Sequence, residues 1–279
     1  SLDALRQADA WRVALLFGLS AVSVGLSGLL FWVVAQPERR VPLSSTSAAN
    51  AIAMGLGLVP LKMGMIARVL IHHRRDGVPF RDIVGWVAAI AALSIVSLAP
   101  LAGAGIWRRD LDALWWLVGV GGMIAGHAIG IGLGRAAESR PVLQRLSLGS
   151  WRFVRHPGGV VPHGLIRGCD LGLLGVRFWL AATMSGLALS MGDAMLFGVV
   201  YITLVVGSPF GRLGFAEMAV AGIAAALGYE YERLALVAVT VTAAEAVTSI
   251  SLACAAFVYI RPDRLMALRP AASVEGDRS

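Results

Sequence analysis

Five ionisable residues, Lys62, Arg68, Arg212, Glu217 and Glu245, lie inside or at the edge of otherwise apolar stretches. A charge in such a segment costs roughly 2.5–3.5 kcal/mol on membrane-insertion scales, so it is expected to face a cavity or a partner. Arginine grips a phosphate through its planar fork and lysine meets one as a point charge, so Arg68 and Lys62 suit a lipid phosphate. Glu217 suits a headgroup amine. The plainer reading has Lys62 and Arg68 reaching to the interface along their apolar stems and Glu217 paired with Arg212. Glu245 stands near Thr240, Thr242, Thr248 and Ser249. This polar stripe either lines the same cavity or hydrogen-bonds between helices.

Other chemistries find little support. No serine or cysteine has a base in a recognisable arrangement and no paired carboxylates occur, so no catalytic residue is nominated and an enzyme is the weaker reading. Cys169 and Cys254 are isolated, and no metal site is expected. His72 and His73 adjoin Arg74 and Arg75 and read as interfacial cations. His127 falls in a stretch with Gly122, Gly126, Gly130 and Gly134, where one helix face is smooth enough for close packing, so it reads as a packed interhelical donor. The glycines at 119–122 do not form a dinucleotide loop, and no cofactor is expected.

The elements that must position these charges are membrane helices. The chain has 279 residues, 57% hydrophobic and only 15% charged, with a mean hydropathy of +0.75. Soluble domains carry about a quarter charged residues, so a water-soluble enzyme, a disordered tail and a nucleic-acid-binding module are excluded together. The net charge of +7 comes almost wholly from arginines in short loops, where they act as orientation signals and partners for anionic headgroups.

Apolar runs cover about 11–35, 48–71, 83–106, 113–133, 171–191, 194–206, 210–227 and 234–260, which predicts an all-α polytopic membrane protein of about eight helices. Two runs, around Pro60 and before Pro209, are interrupted or short and read as broken or re-entrant elements. The expected division is a membrane half over 1–134, a basic cytoplasmic linker over 135–170, a second membrane half over 171–260 and a cytoplasmic tail over 261–279. The linker reads as lying on the membrane surface or as holding a short amphipathic helix around Trp151 and Phe153. Arginine placement puts 72–82, 135–170 and both termini in the cytoplasm, and the loop with Glu38, Arg39 and Arg40 outside.

The two interrupted runs resemble each other. Pro60, Lys62, Gly64 and Arg68 align with Pro209, Arg212, Gly214 and Glu217, and under the expected topology the copies run in opposite senses, an inverted repeat of the kind that builds a midplane site in transporters. Pro60, Gly64, Pro209, Gly211 and Gly214 are its expected hinges. These elements are similar to two glycine-rich motifs in the transmembrane (flippase) region of bacterial lysylphosphatidylglycerol synthases and their stand-alone relatives. Pro60, Lys62, Gly64 and Arg68 match the first motif, and Pro209, Gly211, Gly214 and Glu217 the second. Met65 stands where that family has glutamate, Arg212 is an insertion, and Asn50 lies too far upstream to stand for the asparagine before the first proline.

The resemblance implies a phospholipid flippase or lipid-binding transporter of the bacterial inner membrane, aminoacyl-phospholipids included, with membrane phospholipids as partners and no nucleic acid. The charges inside the apolar runs, Lys62, Arg68, Arg212, Glu217 and Glu245, would be its lipid-binding residues. The alternative is a non-transporting accessory subunit of a larger membrane complex, and a homo-oligomer fits either.

Overall fold

A computed structural model describes residues 9–59, 63–207 and 214–261. Among them the chain is all-helical: α1 (Ala10–Ala35), α2 (Leu43–Leu56), α3 (Met63–Arg74), α4 (Phe80–Trp107), α5 (Ala113–Ala137), α6 (Pro141–Leu146), α7 (Trp151–Val154), α8 (Pro157–Met184), α9 (Met191–Gly207), α10 (Phe215–Ala226) and α11 (Tyr231–Ile260). Local chemistry sets several boundaries. Pro42, in extended backbone at φ −60 and ψ 136, stands immediately ahead of α2. Asp112 caps α5 by accepting from the Trp115 backbone N–H, and Pro157 opens α8 at a position where its missing N–H costs nothing.

Four helices, α1, α4, α5 and α11, are long and apolar enough to cross a membrane. A fifth, α8, has 28 residues but carries Arg167, Asp170 and Arg177 within it. The remaining apolar helices form two pairs that enter the bundle and return to the end they came from. In the α2–α3 pair, Ser45 in the first turn of α2 donates to Asp76, just past α3, at 2.7 Å, and Asp76 also meets His72 Nδ1 at 2.7 Å. In the α9–α10 pair, Asp193 in the first turn of α9 accepts from Tyr229, just past α10, at 2.5 Å. An aspartate thus closes each mouth.

The two mouths lie at opposite ends of the bundle. At the first, basic, end the α1–α2 loop, the start of α4 and the segment around α7 are locked together. Arg39 Nε donates to Asp82 at 2.7 Å, Arg152 bridges Asp82 and Glu38 at 2.7 and 2.9 Å, and Arg155 bridges Glu38 and Glu138 at 2.8 and 2.9 Å. At the other end Arg109 makes a two-pronged contact with Asp193 at 2.7 and 2.9 Å.

These contacts correct the expected topology. The 38–40 loop shares an end with 72–82 and 135–156, because Arg39 is matched to Asp82 and Glu38 to Arg152 and Arg155. The run 48–71 is not one crossing but an inward and an outward helix. Residues 157–170, expected in a surface linker, form the first half of α8. Polar residues mislead there because they are buried against other helices. Phe153 is likewise buried, in a core with Trp86, Leu93 and Val34, and not at an interface. Ala10 and Ile260 lie at opposite ends, so the expectation of both termini on one side is not met by the fold: Val13 and Leu16 pack on Leu180 and Met184, whereas Tyr259 donates to Ser44.

The glycines of α5 do what their spacing suggests. An added Cβ at Gly122 would lie 2.7 Å from Pro100, and one at Gly126 would lie 2.6 Å from Val96, so this face closes directly on α4. His127 is buried on it, its Nδ1 2.7 Å from the Met123 carbonyl.

Candidate functional site

Each hairpin carries one buried charge just inside its second helix. On α3, Arg68 is buried and its Nη2 donates to Asn50 Oδ1 at 2.5 Å, while its guanidinium carbon sits 3.4 Å from the Phe31 ring centroid. Asn50 is oriented by a second bond, from its Nδ2 to the Val24 carbonyl at 3.1 Å, which turns its oxygen toward the arginine. Neutral groups from α1 and α2 therefore hold a full positive charge, and no carboxylate among the described residues answers it.

On α10, Glu217 is buried in the first turn, where the partial positive charge of the helix start favours a carboxylate. Its Oε2 has no hydrogen-bond partner. It lines a groove of about 330 Å3 between α10 and α11, together with Gly214, Met218, Tyr231, Val239 and Thr242. Met218, Tyr231 and Val239 are exposed, so the groove opens sideways onto the apolar flank of the bundle. At its base Thr242 Oγ1 is 3.0 Å from the Tyr201 hydroxyl.

The two glycines that open these helices differ in their reasons. An added Cβ at Gly64 would sit 2.0 Å from the Ala53 carbonyl oxygen, so α2 and α3 touch backbone to backbone there. Gly214 has φ +90, a conformation that side chains with a Cβ strongly disfavour. Pro60, Lys62, Pro209, Gly211 and Arg212 lie outside the described residues.

Helix α11 ties the two hairpins together. Near the inner end of α2, Gly55 faces Ser249 and Ala253. The groove beside Gly214 reaches Thr242 and Ala243. These contact levels are roughly 13 Å apart along α11 at about 1.5 Å per residue, and Glu245 lies between them. Its carboxylate accepts from Arg177 Nη2 at 3.0 Å, so Glu245 joins α11 to α8 and is not among the groove-lining residues.

Several of these groups were readable but overlooked. Asn50 stands in an apolar run with no turn to make, and Arg177 sits inside a run recognised as spanning; an intramembrane polar residue is itself the signal. Phe31 had none, since an aromatic in a membrane helix is commonplace. His72 is fully buried against Asp76 and Trp86, not an interfacial cation as expected.

No curated protein and no solved structure matches the chain. The family model described as "Lysylphosphatidylglycerol synthase TM region" matches residues 2–253, a span that takes in both hairpins, Arg68, Glu217 and the Arg177–Glu245 pair. The chain therefore belongs to the family of the lysylphosphatidylglycerol synthase transmembrane region.

Proposed function

We propose that this chain moves phospholipid between the leaflets of a bacterial inner membrane, with a lipid phosphate received at Arg68 and a headgroup amine at Glu217. The carrying observation is the pair itself. Two buried charges of opposite sign occupy corresponding places in two hairpins, and among the described residues neither has an ion-pair partner. Burying a lone charge costs several kcal/mol, an expense retained where a ligand supplies the counter-charge. A lipid with both phosphate and amine supplies both.

An inverted repeat organises the site. Helices α1, α2–α3 and α4 correspond to α8, α9–α10 and α11, with each set entered from the opposite end. Rocking of one set against the other would offer the same charges to each leaflet in turn. The basic end, with Arg39, Arg40, Arg74, Arg75, Arg81, Arg135 and Arg140, would face the cytoplasm. Lys62 and Arg212 would add to phosphate binding. The accessory-subunit alternative loses one support, because the glycine face of α5 that would dock a partner is used against α4.

Leaflet exchange of fluorescent phospholipids in liposomes holding the purified protein tests the proposal. Exchange well above that of protein-free liposomes is expected. Its absence for every headgroup, with folded protein, would favour the accessory-subunit reading.

A further inference from the structure

Helix α8 carries a second set of buried ionisable groups that the lipid site does not use. His163, Arg167, Asp170 and Arg177 recur at spacings of four, three and seven residues, which places them on one helix face, and all four are buried. From His163 to Arg177 the stripe runs about 21 Å along the axis, most of a hydrocarbon core about 30 Å thick.

Every element packed on this face adds polar groups to it. From α5, the His127 ring stands 5.8 Å from that of His163, and Ser97 of α4 lies 3.5 Å from His127 Nε2. Ser94 of α4 accepts from Arg167 Nη2 at 2.9 Å, and Ser23 of α1 donates to Asp170, which Arg167 Nη1 meets at 3.1 Å. Glu245 of α11 closes the far end on Arg177 at 3.0 Å. Elsewhere on the packing elements, Arg152 and Arg155 beside α7 are engaged with Glu38, Asp82 and Glu138, Asp193 of α9 with Arg109 and Tyr229, and Tyr201 with Thr242. Both nitrogens of His163, and the Nε atoms of Arg167 and Arg177, are buried without a hydrogen-bond partner. Polar atoms left so in a membrane interior are suited to water, which also carries protons between side chains too far apart to touch.

We propose that this stripe is a proton-binding relay, with Asp170 as the carboxylate that takes the proton and His163 as its point of entry from the basic end. It rests on the flippase reading only in that lipid movement is what the proton would drive. A proton binds the His163 imidazole and leaves as the imidazolium N–H breaks. Water passes it to Asp170, where an O–H bond forms and the carboxylate loses its charge. Arg167 then loses its counter-ion, and the contact of α8 with α1 and α4 loosens at the level where the two halves meet.

The test imposes a pH gradient of either sign on liposomes containing the protein and reads the steady-state distribution of fluorescent phospholipid between leaflets. With one proton moved per lipid, one pH unit is worth up to about tenfold in that ratio. Wild type should respond, whereas His163→Gln and the charge-neutral double variant Arg167→Gln/Asp170→Asn should show a ratio that no longer depends on the gradient. Wild-type exchange indifferent to gradients of both signs would overturn the relay and leave the flippase reading intact. Infrared difference spectra of purified protein on acidification supply a readout free of transport. A protonated-carboxyl band that Asp170→Asn lacks supports the site even if no lipid moves, and its absence from wild type overturns it.

Discussion

Arg177 on α8 and Glu245 on α11, 68 residues apart in the chain, meet at 3.0 Å with both side chains buried, and this contact fastens the helix that opens the second half to the helix that serves both hairpins. Taking two charges out of water offsets much of their attraction, so the pair is better understood as a device for fixing register than as a store of stability.

That distinction is measurable. Glu245→Met alone leaves the buried Arg177 guanidinium in a medium that cannot solvate it and is expected to destabilise the protein by about 3–5 kcal/mol. The double variant Arg177→Met/Glu245→Met removes that charge and should recover most of that loss. Thermal unfolding in mild detergent checks the order; single and double variants unfolding together would remove the pair from the account.

The close contact at Gly64 and the positive φ at Gly214 predict different penalties. Gly64→Ala must push α2 from α3 and is expected to cost about 1–3 kcal/mol through overpacking. Gly214→Ala meets open space but an unfavourable backbone, at about 1–2 kcal/mol. Reduced melting temperatures are expected for both, and larger side chains should worsen position 64 far more than position 214.

The shared end of the 38–40 loop, the start of α4 and the α5–α6 turn can be read by labelling. In a background of Cys169→Ser and Cys254→Ser, single cysteines at Arg40, Arg81 and Ser139 should react with an impermeant thiol reagent from the same side of sealed vesicles. One at Asp110 should react from the other. Labelling of the Arg40 position together with the Asp110 position would restore the topology drawn from hydropathy and refute the one drawn from contacts.

Much of this was legible in the residues. The all-helical membrane class follows from composition, the two interrupted elements from prolines and glycines in short apolar runs, and Arg68 and Glu217 stand out as charges that apolar runs do not tolerate. What misled was the meaning of arginine. Arg39 counts as a cytoplasmic signal only once the loop is placed, and Arg167 and Asp170 look like loop residues until α1 and α4 are seen to bury them. Hydropathy also cannot tell a run of 24 residues from two helices that turn back, since both are equally apolar; the Ser45–Asp76 contact and the approach of Gly64 to Ala53 separate them.

Acidity should loosen the basic end. Burial pushes the Glu38 carboxyl up, but hydrogen bonds from His156 and Arg155 and the charges of Arg152 and Arg155 outweigh it and hold Glu38 below its ordinary range. A carboxylate with a lowered folded-state value contributes stability that is fully present above the unfolded value and is lost as pH falls through the folded one. The melting temperature of wild type should therefore fall on acidification through that window more steeply than that of Glu38→Gln. Parallel pH profiles would show that Glu38 contributes nothing there.

On the proposed function, Arg68 and Glu217 together bind the lipid that is moved. Its most direct test is leaflet exchange of fluorescent zwitterionic, anionic and amine-bearing phospholipids by wild type, Arg68→Ala, Glu217→Gln and the exposed control Arg233→Ala. Losing a charge-assisted contact is worth about 1.5–3 kcal/mol, so about a tenfold or greater fall is expected in each of the first two variants. Arg68→Ala should affect all phosphate-bearing lipids, and Glu217→Gln chiefly those with an amine. Wild-type rates in both variants would refute lipid binding at Arg68 and Glu217.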